Sequence, residues 1–526
     1  MTDIVPDIMT LFPLATPRKS QEAVIREILK AYNLRYKYVV LEAPVGSGKS
    51  AIAITMSRWY CTSHILTPRK SLQDQYYDDF KKHVVLMKGR SSYFCTKDSD
   101  DEFHRTVIKW VESGKSPIPD KYHGDCFSAP CRDKPAVEAK CTVARNRTCP
   151  YKRAIEVAES NNVIVHNFHS FLYQYHFAQR FSPKNILIVD EAHEMEGILR
   201  DFGIIKFTVT KIIPDEHQPD MAQTSLEYWV DYFHKPELQP RSNKRKEEYT
   251  QALENLSELA KGKHKYIATV DTMVGAEMTT FSFTPMYVGN TAQSLVFNCA
   301  DRVLLMSGTI YNKDVYCQSL GIKPEEAYFI RIPSSFPVES RPIICKPEYL
   351  TGTSHAAWED NKEEITRIIK EILARFDDTK GLIHAPSYRA CQDIKNWVND
   401  KRIVTHNSET FLPKLEEFYK ASGNRVFLSP NCSQGVDFKQ DRARFQIILR
   451  VPYLNTQDPF LAYKVANDFP WYNHQALVTF GQQIGRVNRS EDDFGVTILV
   501  DDRFPKFIKK NSLYLPKWVK DSIRYK

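Results

Sequence analysis

Short apolar, β-branched runs alternate along this chain with longer stretches of helical periodicity, which predicts parallel α/β units. Strands are expected over Tyr38–Leu41, Ile186–Val189, Val303–Met306, Gly381–His384, Arg425–Leu428, Gln446–Leu449 and Val496–Val500. The first three run into polar residues, as expected where ligands gather at the carboxyl ends of parallel strands. Two stretches break the rhythm. Residues 88–153 are short of strand-like runs and carry 14 Lys and Arg against 9 Asp and Glu. Residues 205–275 include the polar run Ser242 to Lys265, which reads as solvated helix. Both read as insertions into the first α/β unit, because the strand near Val303 resumes it. A second unit begins near the Pro-containing connection Pro333–Arg341.

A chain of 526 residues with 42% hydrophobic content can bury more than one core. No apolar run approaches the roughly 18 residues of a membrane span. Met1 to Thr16 lacks a basic start followed by an apolar stretch, so an intracellular, cytoplasmic protein is expected. The net charge of +8 suits a polyanionic partner without requiring one. Cysteine changes the picture more. Five of the eleven, Cys95, Cys126, Cys131, Cys141 and Cys149, fall in one stretch, which favours a metal or cluster site over a secreted disulfide framework.

The run Ala43-Pro44-Val45-Gly46-Ser47-Gly48-Lys49-Ser50 lies between a strand and a helical pattern. Gly46 and Gly48 let backbone curl around phosphate oxygens, and Ser47 and its neighbours supply amides beside a helix N-terminus. Lys49 is expected to reach the β- and γ-phosphates and Ser50 to hold Mg²⁺. Ala43 stands where the usual pattern has Gly. Asp190-Glu191 follows a strand; Asp190 can orient Mg²⁺ and Glu191 can deprotonate the attacking water. Helix capping by Asp190 is the structural alternative. Farther on, Gln482-Gln483-Ile484-Gly485-Arg486-Val487-Asn488-Arg489 places Arg486 and Arg489 on one helical face, able to reach a γ-phosphate across a cleft.

The order of these motifs resembles that of superfamily 2 helicases of the XPD/DinG-like iron–sulfur group over nearly the whole chain. Arg18-Lys19-Ser20-Gln21 resembles the entry motif in which Gln21 would read adenine. Thr67-Pro68-Arg69 through Gln75 is similar to motif Ia, Asp190-Glu191-Ala192-His193 to the DEAH box, and Ser307-Gly308-Thr309 to motif III. Ser433-Gln434-Gly435-Val436-Asp437-Phe438 is similar to motif V, with Gln434 where Glu is expected. Gln482 to Arg489 resembles motif VI, and Leu515-Pro516-Lys517-Trp518 the closing segment. The resemblance implies two RecA-like units with ATP between them. Gln482, Gly435 and Asp437 join the expected site.

Gly89 to Cys95 and Cys149-Pro150-Tyr151 resemble the entry and exit of the family's cluster domain. Four thiolates suit a [4Fe–4S] cluster; Cys95, Cys131, Cys141 and Cys149 are the favoured set, with Cys126 the alternative. Tetrahedral zinc is the rival, although the short paired knuckles common in zinc sites are missing. Lys88, Arg90, Arg145, Arg147, Lys152 and Arg153 are candidate phosphate contacts, and Tyr93, Phe94 and Tyr151 candidate base platforms.

The expected organisation is motor domain 1 over 1–86, 163–204 and 276–330, an iron–sulfur domain over 87–162, a mainly helical arch over 205–275, and motor domain 2 over 331–526. The implied activity is ATP-driven unwinding by a monomer that binds single-stranded and forked duplex DNA in repair or replication, with 5′ to 3′ polarity. An ATP-hydrolysing clamp and an RNA helicase are the alternatives. The compact second insertion fits a streamlined viral or mobile-element member.

Overall fold

In the computed structural model, residues 7–93, 149–209, 213–240, 243–262, 264–273, 278–432, 436, 438 and 440–525 are described. Strands β1 (Tyr38–Glu42), β2 (Ser63–Thr67), β3 (Val85–Met87), β4 (Val163–Asn167) and β5 (Lys184–Asp190) are followed by β6 (Ile205–Val209), β7 (Tyr266–Met273) and β8 (Met278–Pro285). The first unit closes with β9 (Ala300–Ser307) and β10 (Ala327–Arg331). The second holds β11 (Ile343–Ile344), β12 (Gly381–His384), β13 (Ile403–Val404), β14 (Val426–Ser429), β15 (Phe445–Ile448), β16 (Val496–Leu499) and β17 (Ile523–Arg524).

Two parallel sheets of seven strands form the motor units, ordered β10-β1-β9-β5-β2-β4-β3 and β13-β14-β12-β15-β16-β11-β17. Each of the seven expected strands is present, displaced by no more than a few residues at its ends. Period-two alternation sends their side chains into two layers. Val39, Leu41, Ile186, Ile188, Leu304 and Met306 pack on one face of the first sheet. Tyr38, Val40, Leu187, Val189, Val303 and Leu305 pack on the other. Burial on both faces is what continuous apolar runs in parallel strands require. The carboxyl ends of β1, β5 and β9 therefore share one edge, where the polar motifs begin.

The second insertion adds a three-stranded antiparallel sheet, β6-β8-β7, to the helices Leu226–Phe233 and Asn243–Ala260. It is thus built of sheet and helix together, and its last strand runs to Pro285. Trp229, Phe233, Phe281 and Phe283 are its buried centre. Among the described residues, no helix is long and apolar enough to cross a membrane.

Candidate active site

The phosphate loop leaves the end of β1. Gly46 and Gly48 have φ of +80° and +74°, left-handed positions that favour glycine. A side chain at Gly48 would also collide with the amide of Gln21. The helix Lys49–Trp59 follows at once, so its unsatisfied amides point into the loop. Gln21 is buried behind the loop. Its Nε2 donates to the Ser47 carbonyl at 3.2 Å and its Oε1 accepts the Arg18 amide at 2.9 Å. The Arg18 guanidinium donates to the Gly46 carbonyl. The entry motif therefore clamps the phosphate loop from outside, and reading adenine would require Gln21 to exchange these bonds.

Asp190 and Glu191 stand at the end of β5. Buried Asp190 accepts the Tyr76 hydroxyl at 2.9 Å, and Tyr76 also meets Ser50, which gathers the two expected Mg²⁺ ligands. Burial raises the pKa of Asp190, against the pull of Lys49. Glu191 has φ +50°, a strained value for a residue with a side chain. Its carboxylate lies 3.6 Å from Lys49 Nζ and 3.3 Å from His193 Nδ1. Burial pushes its pKa up, but Lys49, His193 and Arg486 more than offset that and hold it below the usual carboxylate range. Glu191 is ionised, the state a proton acceptor needs.

Arg486 and Arg489 face this wall from the second unit. The helix Phe469–Ile484 ends before them, so they follow the helix instead of sharing one of its faces, a correction to the expectation above. The cause is local. Gly485 is a poor helix former, and the Arg486 amide donates to the Gln483 carbonyl at 3.0 Å, tightening the last turn. The Arg486 guanidinium then reaches back to the Gln482 carbonyl at 3.0 Å, to Gln482 Oε1 at 2.9 Å and to the Val436 carbonyl. Burial, with Arg489 and Arg69 nearby, pushes its pKa down to about 10.

A polar path joins the walls. Gln482 Nε2 donates to Thr309 Oγ1 at 2.6 Å, and the Thr309 amide donates to Ser307 Oγ at 3.1 Å. Ser307 Oγ lies 2.8 Å from His193 Nδ1. Glu191 is thereby linked through His193, Ser307, Thr309 and Gln482 to Arg486. His474 provides a second tie, its Nε2–H donating to the Ile310 carbonyl at 2.7 Å. Burial pushes the His474 pKa down to about 4, so the ring is neutral.

The cleft between the walls measures about 560 Å³ and is lined by Gly46 to Ser50, Asp190, Glu191, Gln482, Arg486 and Arg489. Phe336, Arg341 and Trp518 also line it, and no site role was read for them in the sequence. Arg341 ends a connection and Trp518 belongs to the closing segment, so only folding brings them together.

Gly435 and Asp437 lie outside the described residues, as do Cys95, Cys126, Cys131, Cys141, Phe94, Arg145 and Arg147. Cys149 precedes the helix Pro150–Glu159 and packs with Tyr93 near Tyr151. Tyr151 is buried, 5.5 Å from the Tyr93 ring and 4.8 Å from the Arg90 guanidinium, so it is a core residue and no exposed base platform. Lys88 pairs with Asp74.

Two family models match the chain: one described as "Helicase C-terminal domain" over residues 370–522, and one as "Type III restriction enzyme, res subunit" over residues 14–213. The ATP-dependent DNA helicase YoaA of Haemophilus influenzae is 22% identical, the match covering 93% of this chain and 91% of that protein. The XPD helicase subunit of general transcription and DNA repair factor IIH from Dictyostelium discoideum is 31% identical over 43% of this chain and 32% of that one. A solved XPD helicase structure superposes with a TM-score of 0.60 at 16% identity, covering 98% of this chain and 100% of that one. The likeness in structure establishes the shared fold.

Proposed function

This chain belongs to the XPD/DinG-like family of superfamily 2 helicases, and we propose that it couples ATP hydrolysis to 5′ to 3′ translocation on single-stranded DNA and to unwinding of forked duplexes. The observation that carries this reading is the polar path from Glu191 to Arg486, because it joins the hydrolytic base on one unit to a charge-neutralising arginine on the other.

With ATP in the cleft, Lys49 and the loop amides hold the β- and γ-phosphates. Ser50 and Asp190 hold Mg²⁺, which when bound neutralises phosphate charge. Glu191 takes the proton of the attacking water, and Arg486 and Arg489 stabilise the charge that spreads over the transferred phosphoryl group. Loss of the γ-phosphate removes what both walls grip. The Thr309–Gln482 hydrogen bond is where the change passes between units. Parallel α/β units collect ligands at the carboxyl ends of their strands, so cleft closure can move a strand bound along that edge.

Cys95, Cys131, Cys141 and Cys149 are the proposed ligands of a [4Fe–4S] cluster, which when bound cross-links a basic wedge at the duplex junction. Support comes from Tyr93 and Cys149, the two flanks of residues 94–148, which pack into one small cluster, as an inserted domain with adjacent ends requires. The same reading takes the chain to act as an intracellular monomer, by analogy with its family.

The test is strand displacement by anaerobically prepared protein on forked duplexes with either a 5′ or a 3′ single-stranded tail. Displacement that needs ATP and the 5′ tail is expected. ATP turnover stimulated by single strands with no strand displaced on either fork would identify a clamp instead. Displacement confined to an all-RNA fork would overturn the DNA assignment.

A further inference from the structure

We infer that Arg341, in the connection between the motor units, is a further arginine of the cleft and contacts the polyphosphate of the bound nucleotide, held in place by the ring of Trp518. This deepens the ATP-site reading above and rests on it. Arg341 is 7% exposed. Its guanidinium lies 4.0 Å from the Trp518 ring centroid and 5.6 Å from that of Phe336. Nη2 donates to the Phe336 carbonyl at 2.7 Å, and Nε is buried without a partner. Among the described residues, no carboxylate pairs with it.

A buried charge without a counter-charge is strongly unfavourable, and proteins retain one where a ligand supplies the missing sign. Burial pushes the Arg341 pKa down only to about 10, so it remains charged at neutral pH. Two other cations of the cleft have a carboxylate beside them within the protein: Lys49 lies 3.6 Å from Glu191, and Arg69 lies 2.7 Å from Glu194. Arg341 has no such neighbour, yet it lines the same cavity.

Position identifies the anion. Phe336, whose carbonyl Arg341 grips, presses on the phosphate loop so closely that a methyl group at Gly46 would meet its ring at 2.7 Å. The guanidinium therefore adjoins the part of the cleft where phosphates are cradled. Aromatic rings already flank it, which leaves N–H groups rather than an open face for a ligand. That geometry suits phosphate oxygens and does not suit stacking on adenine. Because the residue closes the connection between the units, its contact also ties nucleotide occupancy to the hinge.

The experiment uses the full chain with Arg341→Met, Arg341→Lys and Trp518→Phe. It measures thermal unfolding without nucleotide, the affinity for ATP with Mg²⁺, and the affinity for inorganic tripolyphosphate in competition. Arg341→Met should unfold no earlier than wild type without nucleotide, because an uncompensated charge is gone. It should weaken ATP and tripolyphosphate by the same factor, about 10- to 100-fold, the worth of one charge-assisted hydrogen bond. Arg341→Lys should recover part of that loss, and Trp518→Phe most of it.

Earlier unfolding with unchanged affinities, in either Arg341 variant, would make the residue purely structural and overturn the inference. Weaker ATP with unaltered tripolyphosphate would assign it to the base or ribose and overturn the inference as well. Failure of the wild-type protein to bind ATP would instead defeat the ATP-site reading itself.

Discussion

The two walls of the cleft are built on opposite electrostatic plans. The first carries both signs on one edge, with Lys49 beside Glu191 and Asp190 held by Tyr76, so its charges are balanced before nucleotide arrives. The second presents Arg486 and Arg341, whose described hydrogen bonds run to carbonyl and amide oxygens. Carbonyls orient a guanidinium without neutralising it. On the proposed reading the first wall is a catalytic site that needs a cap, and the second is a cap that needs an anion. A nucleotide would satisfy both at once, which is the physical basis of the proposed closure.

The largest effect that can break this contrast is Arg486→Ala. It should lower DNA-stimulated ATP turnover by about 10³-fold or more, as expected for an arginine acting on a phosphoryl transition state. Steady-state phosphate release checks it, and a loss under tenfold would mean that the second wall does not cap the reaction. On the first wall, Glu191→Gln should reduce turnover by about 10²- to 10³-fold while ATP still binds, since only proton transfer is removed. Equilibrium nucleotide titration separates that result from a collapsed site.

Thr309→Val cuts the path between the walls. One hydrogen bond is worth about 1 kcal/mol, so unwinding should fall roughly 5-fold. Single-strand-stimulated turnover should fall less; equal losses in the two assays would show that Thr309 serves chemistry and not coupling.

The smallest effect is on stability against pH. Burial pushes His64, His384 and His474 down to about 4 from an ordinary 6.5. The unfolded chain therefore binds more protons between those values. Stability from these neutral rings is full above pH 6.5 and is lost as pH falls toward 4. Melting temperature should drop progressively across that window; a flat or rising profile would contradict buried, neutral imidazoles.

The sequence was most legible where one physical rule governed a segment. Strands such as Ile186–Val189 were visible because both faces of a central parallel strand must be apolar. The strand β2 was not, because Ser63, His64 and Thr67 interrupt it. His64 and Thr67 are buried with partners from elsewhere, including His166, 3.1 Å from His64, and the His166 carbonyl, 3.3 Å from Thr67 Oγ1. In the second insertion, β8 carries a clean period-two signal, with Thr279, Phe281, Phe283 and Pro285 on the buried side. The polar helical run before it hid that signal.

Lys49, Asp190, Glu191 and Arg486 could be grouped from the sequence because each motif packs its chemistry into neighbouring residues, and the structure brings all four to one cleft. Arg341 and Trp518 were hidden for the opposite reason. They are far apart in the chain; Trp518 falls in the closing segment, but nothing local to either residue marks a place in the cleft. The helical reading of Arg486 and Arg489 failed at Gly485, where backbone geometry outweighed side-chain spacing.

Lys49 is the residue on which the motor account stands, because its ammonium reaches directly from the phosphate loop to the acidic pair. The direct measurement compares wild type and Lys49→Ala for ATP turnover, single-stranded DNA binding and unwinding of a forked duplex. The account predicts that Lys49→Ala binds single strands like wild type while turnover and unwinding both vanish. Unwinding retained by that variant would contradict it.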